Sequence, residues 1–382
     1  MPLQRTFEGA VLLSRVIERD PGVIIGPISR VLGAVINFVF NFIYNHLTPA
    51  GSLGLAIILT TIIMRMILLP FAAYQQKASY RMQKLQPEVT KIKKKYSDDK
   101  NVETQKKMNA EIQQLYAKHK INPLSGCLPL IIQMPIFIAL NSIMRQPYMY
   151  IRTLGDLYYR SSSSISNIIH GFLNENPASN GYEAFYRICR AKLPPLDKIP
   201  KELIVTDDVL GRHFPVTVEN IAKLIKVFSK SDWTAFLSAA PERVRQSLEG
   251  LVDRKESIET FLSFNLIENP INIGEWSILS FWKNVPDLWP GILIPLMAAV
   301  TTFLSSYIVG KQSPSDDPTA QATQRSMLIM MPVIFGVMTA SISSGVGLYW
   351  ITSSAFQIVQ TLIMGRFMRK GKKLADASGG KS

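Results

Sequence analysis

The sequence predicts an all-α polytopic membrane protein. It has a five-helix transmembrane core, a cytoplasmic helical hairpin and a mostly helical extracytoplasmic insert. Three observations carry this prediction. The 382 residues are 47% hydrophobic and only 18% charged, whereas a soluble domain carries nearer about a quarter. Charge-free stretches alternate with lysine-dense ones instead of sharing the charge evenly. Five stretches reach the roughly 20 apolar residues that a bilayer crossing requires. Together these exclude a disordered chain, a collagen-like repeat and a disulfide scaffold, the last because only two cysteines are present.

Residues 1–50 form an N-terminal region. Within it Val31 to Leu47 is apolar but short, and Asn37, Asn41 and Asn45 recur every fourth residue as one polar stripe. This spacing suits an interfacial helix lying on the membrane, with a sixth span as the alternative. "GAVLLSRVI" is too short for a cleavable signal and is interrupted by Arg15. The first span is Leu53 to Ala73, within residues 51–73. Residues 74–126 follow as a hairpin. Leu85, Val89, Ile92 and Tyr96 form one apolar stripe, and Met108, Ile112 and Leu115 a second. Ser97 to Asn101 is the turn, and Pro87 fits a first helical turn. This segment reads either as a solvated loop or as a basic docking arm.

The second span, Cys127 to Met144, lies in residues 127–145. Residues 146–285 form a long loop. Val218 to Phe228 and Arg243 to Phe264 have helical spacing there, and His170 and His213 lack metal-ligand spacing. The third span, Pro290 to Val309, lies in residues 286–309, followed by a short loop at 310–326. Met327 to Met364 would measure about 57 Å as one helix, far beyond the bilayer thickness of about 30 Å. Ser343, Ser344 and Gly345 therefore divide it into a fourth span (327–343) and a fifth (346–365). A basic tail, 366–382, ends the chain.

Charge orients these spans. Residues 74–126 carry 12 Lys/Arg against 5 Asp/Glu, whereas 146–285 carry 16 of each sign. The positive-inside bias places the hairpin and the tail in the cytoplasm and the long loop outside. The net charge of +14 is then this bias and not a nucleic-acid footprint. Cys127 and Cys189 fall on opposite sides.

Arg65 is the only side chain charged at neutral pH within the five spans. Counted back from Ala73, it lies about 12 Å inside its helix. An arginine at such depth costs roughly 2.5–3.5 kcal/mol on insertion scales and is usually paired with a carboxylate, but the spans contain none. It either snorkels to the interface or faces a hydrated cavity open to the cytoplasm. Polar companions exist: Thr60 and Thr61 in the first span, Gln133 in the second, Ser305 and Ser306 in the third. Ser353, Gln357 and Gln360 share one face of the fifth, with Thr361 beside it. They serve either as interhelical hydrogen-bond partners or as the lining of one wet groove. Signatures of metalloproteases, nucleotide-binding loops and serine hydrolases are missing, as are paired intramembrane carboxylates. An enzyme or an ATP-driven pump is not expected.

"NPLSGCLPLIIQMPIFIAL" (Asn122 to Leu140) resembles the most characteristic stretch of the YidC/Oxa1/Alb3 family of membrane protein insertases. "GLAIILTTIIMRMILLPF" (Gly54 to Phe71) resembles its first core span, with Arg65 at the position of the groove arginine. "KLQPEVTKIKKKY" and "IQQLYAKHKINP" resemble its hairpin. "ILIPLMAAVTTFLSSYI" and "MMPVIFGVMTASISSGVGLYWITSSAFQIVQ" resemble its last three spans. The resemblance implies an insertase of the bacterial plasma (inner) membrane, without ATP, metal or other cofactor. Five helices would enclose a hydrophilic groove open to cytoplasm and lipid, where the arginine attracts acidic residues of an incoming chain. The groove residues would be Arg65, Thr60, Thr61, Gln133, Ser305, Ser353, Gln357 and Gln360. The implied partners are nascent membrane proteins, the lipid bilayer, the Sec translocon and, through the basic hairpin and tail, the ribosome, with no direct nucleic-acid recognition. The competing classes are a transporter, which should show an internal repeat, and a membrane scaffold, which needs no buried arginine. One departure stands out: roughly 110 residues near Tyr148 to Ser257 replace the short outer loop of the simpler bacterial members.

Overall fold

The computed structural model describes residues 22–96, 101–120, 128–159, 205–207, 212–214, 230–239, 242–270, 291–312 and 318–379. Most of the expected turn after Tyr96, both cysteines, His170, the 218–228 segment and the start of the third span at Pro290 lie outside these residues. The chain divides into two units, Met1–Ala56 with Ala139–Glu268 and Ile57–Ile138 with Asn269–Ser382. Among the described residues both are helical, apart from two small antiparallel strand pairs.

In the first unit, α1 (Gly22–His46) is longer than the expected apolar stretch. It buries Leu32, Ile36, Val39, Phe40 and Ile43. Of its three stripe asparagines, Asn37 and Asn41 are bonded within the protein, while Asn45 is exposed. Asn41 Nδ2 donates to Asn37 Oδ1 at 3.1 Å. The Arg152 backbone N–H donates to Asn37 Oδ1 at 2.9 Å, and Thr153 Oγ1 donates to Asn41 Oδ1 at 2.7 Å. The first two turns of the polar stripe are therefore satisfied by protein, while Phe38 is 74% exposed on another face. By length and composition Ile25–His46 suffices to cross a membrane. Bonded at Asn37 and Asn41 and open at Asn45, the stripe is divided between protein and surface.

After the C-terminal end of α6 (Leu128–Arg145) comes a short helix, α7 (Pro147–Tyr150). Residues 152–159 are again helical and bury Leu154, Leu157 and Tyr158. Strands β1 (Val205–Asp207) and β2 (Arg212–Phe214) pair antiparallel. Helix α8 (Lys230–Ala239) packs Trp233 and Phe236 beside α9 (Glu242–Glu259). Helical spacing runs on to Phe264, but α9 stops at Glu259. The next residues form a hairpin of β3 (Thr260–Phe261) and β4 (Phe264–Asn265). Leu262 and Ser263 take φ of 49° and 70°, as a two-residue turn matched to strand twist demands. The tertiary reason is the N-terminal end of α2 (Ser52–Ile67). There the Gly51 N–H donates to the Ser257 carbonyl at 2.8 Å, and the Phe261 ring occupies the space where a Cβ on Gly54 would stand.

A buried charged cluster joins the two flanks of the insert. Glu259 is fully buried. Its carboxylate accepts from Tyr158 OH at 2.6 Å and from Lys255 Nζ at 2.8 Å. Tyr148 stacks on Tyr158 with ring centroids 5.0 Å apart. Burial pushes the Tyr158 hydroxyl well above the usual tyrosine range, and the neighbouring Glu259 carboxylate raises it further. The flanks near Tyr148 and Ser257 are therefore part of this unit's core. The roughly 110-residue departure near Tyr148 to Ser257 thus has both of its ends built into that core.

In the second unit, the expected straight span from Leu53 to Ala73 is bent. α2 ends at Ile67, and α3 (Leu69–Lys84) continues at 55° to it. Pro70 lacks an N–H and its ring crowds the preceding turn, which is sufficient to break the ladder. Arg65 therefore lies two residues, about 3 Å, from the end of the straight segment, and not about 12 Å from the end of a continuous one. Helices α4 (Gln86–Lys95) and α5 (Val102–Lys118) form the expected hairpin, with Pro87 in the first turn of α4 and Asn101 capping α5. Leu85 and Val89 are buried, and Glu111 accepts from both Tyr96 and Lys95.

The last three spans are α10 (Leu293–Gln312), α11 (Pro318–Ala340) and α12 (Ser344–Gly379). α10 packs against both others, and the break at 341–343 falls where the serine-glycine run placed it. α10 buries Ile294, Ala298, Thr302 and Ser305 on one face and exposes Leu296, Val300, Phe303, Leu304 and Tyr307 on the other. A largely apolar exposed face, with Lys311 only at its end, and a part-polar buried one are the inverse of a soluble helix and fit lipid outside. Among the described residues, α1, α10 and the bent pair α2–α3 are apolar enough to cross a membrane. The helices of the second, fourth and fifth expected spans have 18, 23 and 36 residues, and Gln324–Ala340 of the fourth is a shorter apolar helix.

Candidate functional site

The site is built within the second unit from α2, α6, α10 and α12. On α2, Thr61 and Arg65 are one turn apart. Thr61 Oγ1 donates to the Ile57 carbonyl at 2.6 Å, so its hydroxyl is consumed within the helix. Thr60 is buried and its hydroxyl has no partner among the described residues. Arg65 Nε donates to Ser353 Oγ at 2.8 Å, and Nη2 reaches the same oxygen. Among the described residues Arg65 makes no ion pair. A guanidinium offers five donors, so one hydroxyl leaves most of them available.

Ser353 belongs to a longer polar face of α12 than the spacing of Ser353, Gln357 and Gln360 announced. One turn earlier Tyr349 accepts a hydrogen bond from Gln133 Nε2 of α6 and also interacts with Ser353. Arg65, Ser353, Tyr349 and Gln133 therefore form one connected network across three helices. Gln357 and Gln360 lie one and two turns further on, partly exposed, and make no hydrogen bond among the described residues. Ser305 is buried on α10; no bond joins it to Arg65.

Beside the network lies an aromatic cluster. The Trp350 indole stacks on Phe335 with centroids 3.8 Å apart and meets Phe137 edge-on at 5.7 Å. Its Nε1 donates to Thr302 Oγ1 at 2.9 Å. An indole N–H buried without a partner would be costly, and Thr302 removes that cost. Tyr349, Trp350 and Thr302 were missed from sequence. Tyr349 was available there, four residues before Ser353 on the same face. Trp350 and Thr302 read as ordinary span residues until packing paired them.

The arrangement holds a cation and several hydrogen-bonding groups among apolar helices, with the cation incompletely satisfied. It can attract and hold an anionic group. Among the described residues no cluster of His, Cys, Asp or Glu could hold a metal, and no nucleophile–base pair accompanies the network.

Residues 43–174 and 256–372 match the family described as 60Kd inner membrane protein. The chain is 27% identical to membrane protein insertase YidC 1 of Lactococcus lactis, over 82% of this chain and 68% of that one. It is 38% identical to membrane protein insertase YidC of Anaeromyxobacter dehalogenans over 33% of this chain and 24% of that one. It is 50% identical to membrane protein insertase MisCA of Bacillus subtilis over 24% of this chain and 35% of that one. Against these last two the chain spans well under half of the relative's length. The interruption at 175–255 falls in the loop between the second and third expected spans, leaving Arg65, Gln133, Thr302, Tyr349 and Ser353 inside the match. An apolar helical core with one under-satisfied arginine and a family match over both halves of that core lead to one conclusion: the chain is a bacterial membrane protein of the 60Kd inner membrane protein family, the YidC/Oxa1/Alb3 family.

Proposed function

We propose that this chain is a membrane protein insertase and chaperone. It receives newly made membrane proteins from the cytoplasm and passes their hydrophobic segments into lipid without catalysing a chemical step. The observation that carries the reading is the Arg65–Ser353 contact: an arginine among apolar helices whose partner is a neutral hydroxyl. A fully paired arginine would have nothing to offer a client. One held by a serine keeps its charge available, and in a site poorer in water than bulk that charge acts over several ångströms. Acidic residues of a client's outer tail are drawn toward Arg65, and the adjoining apolar segment then exits along α10 and α12. The Trp350, Phe335 and Phe137 cluster lies on the outer side of Arg65 when the basic hairpin and tail are cytoplasmic, which supports a groove closed to the outside. Work alone or with the Sec translocon, and ribosome contact through the hairpin lysines, are part of the same proposal.

The test is complementation of an insertase-depleted strain with variants of verified membrane abundance. Arg65→Glu should abolish insertion of clients with acidic outer tails, while Arg65→Lys should retain a part of it, because the sign of the charge matters more than the guanidinium shape. Full activity of Arg65→Glu on acidic-tailed clients would sink the groove model.

A further inference from the structure

We propose that the exposed face of α3 binds anionic phospholipid headgroups where the first span leaves the membrane. Among the described side chains of this helix, those exposed are Leu69, Pro70, Tyr74, Lys77, Arg81 and Lys84. From Pro70 to Lys84 the steps of four and three place them on one side, with Leu69 beside its start. The chemistry along this stripe is graded. It begins apolar, passes through Tyr74, which is 69% exposed, and ends in cations. The opposite side is turned inward, with Gln75 buried. Apolar, aromatic, basic is the order of a bilayer read from hydrocarbon to headgroup to phosphate.

The bend makes the match geometric. A straight continuation of α2 would carry Lys84 about 22 Å beyond Leu69, clear of the headgroups. At 55° the advance along the α2 axis falls to about 13 Å for Lys84 and about 7 Å for Lys77, comparable to the headgroup layer. Flexible Lys and Arg stems close the remaining distance. Lys77 and Arg81 make no ion pair among the described residues. Lys84 already interacts within the protein, so the site rests on the first two. An acidic protein surface would not require the Leu69–Tyr74 end of the stripe to be apolar and continuous with the span, and lipid does.

The proposal depends on α2 spanning the membrane and is independent of client capture by Arg65. Its test uses the full chain, with Cys127 and Cys189 replaced by serine and a bimane label on Tyr74→Cys. The protein is reconstituted in phosphatidylcholine vesicles containing a minor fraction of nitroxide-labelled phosphatidylglycerol or, in parallel, nitroxide-labelled phosphatidylcholine. Stronger quenching by the anionic probe is expected, weakening as salt is raised. Each cation should contribute about fivefold to local enrichment of anionic lipid. Lys77→Gln with Arg81→Gln should therefore abolish the difference, while Lys77→Arg with Arg81→Lys should keep it. Equal quenching by both probes in the labelled protein that keeps Lys77 and Arg81 would overturn the proposal. So would an anionic preference that survives the double glutamine variant. No quenching by either probe would place Tyr74 away from lipid and overturn it as well.

Discussion

Ser353→Asp tests the availability of Arg65 more sharply than removal of the arginine. Ser353 Oγ lies 2.8 Å from Arg65 Nε. A carboxylate on the same Cα brings an anion to within about 4 Å of the guanidinium, where two unit charges at an effective dielectric constant near 20 attract by about 4 kcal/mol. A client carboxylate must displace this internal partner before it can engage. The handicap corresponds to about a thousandfold in apparent affinity. Ser353→Asn supplies a polar side chain of the same size without charge and should stay near wild type. The assay is insertion of an acidic-tailed client into proteoliposomes, read by protease protection, with a neutral-tailed client in parallel. The expected result is loss for the acidic client with Ser353→Asp, little change for the neutral one, and a thermal midpoint for the variant no lower than wild type, because the arginine is now paired. Equal insertion of the acidic client by Ser353→Asp and wild type would refute the idea that an incompletely paired Arg65 recruits clients.

Two further outcomes are expected. Single cysteines at Lys106 and Gln246, in a background without Cys127 and Cys189, should react with an impermeant thiol reagent on intact cells only at position 246; labelling at 106 alone would invert the topology. Removing residues 175–229 behind a short flexible linker should preserve insertion, whereas removing 148–257 should lower the amount of folded protein. The larger cut strips Tyr158 and Lys255 from the buried Glu259 carboxylate, and unpairing a buried charge costs about 3–5 kcal/mol. Equal membrane abundance of the two deletions, measured by immunoblot, would show that the buried cluster does not hold the loop.

What the sequence determined by itself follows from local period and from solvent. A charge-free run of about 20 residues has few stable homes other than a bilayer, so the apolar segments, the serine-glycine break before α12 and the two stripes of the hairpin were legible. Arg65 was legible for the same reason, since a charge is conspicuous where no other stands. Its partner was not. Ser353 is 288 positions away, and one hydroxyl among many on the spans carries no local mark of which helix it faces. Gln357 and Gln360 show the converse: they share the stripe of Ser353, yet the described contacts leave them outside the network, and Tyr349 takes the place beside it. The asparagine stripe of α1 was legible as a stripe, but not that Asn37 and Asn41 bond to Arg152 and Thr153 while Asn45 stays exposed, because periodicity defines a face without saying what covers it. Likewise α9 ends at Glu259 because Phe261 packs against Gly54 and Glu259 meets Tyr158, contacts between segments far apart in the chain. Periodicity and hydropathy act within a few turns and are written locally. Which faces meet depends on contacts between distant segments, and the tertiary structure alone decides them.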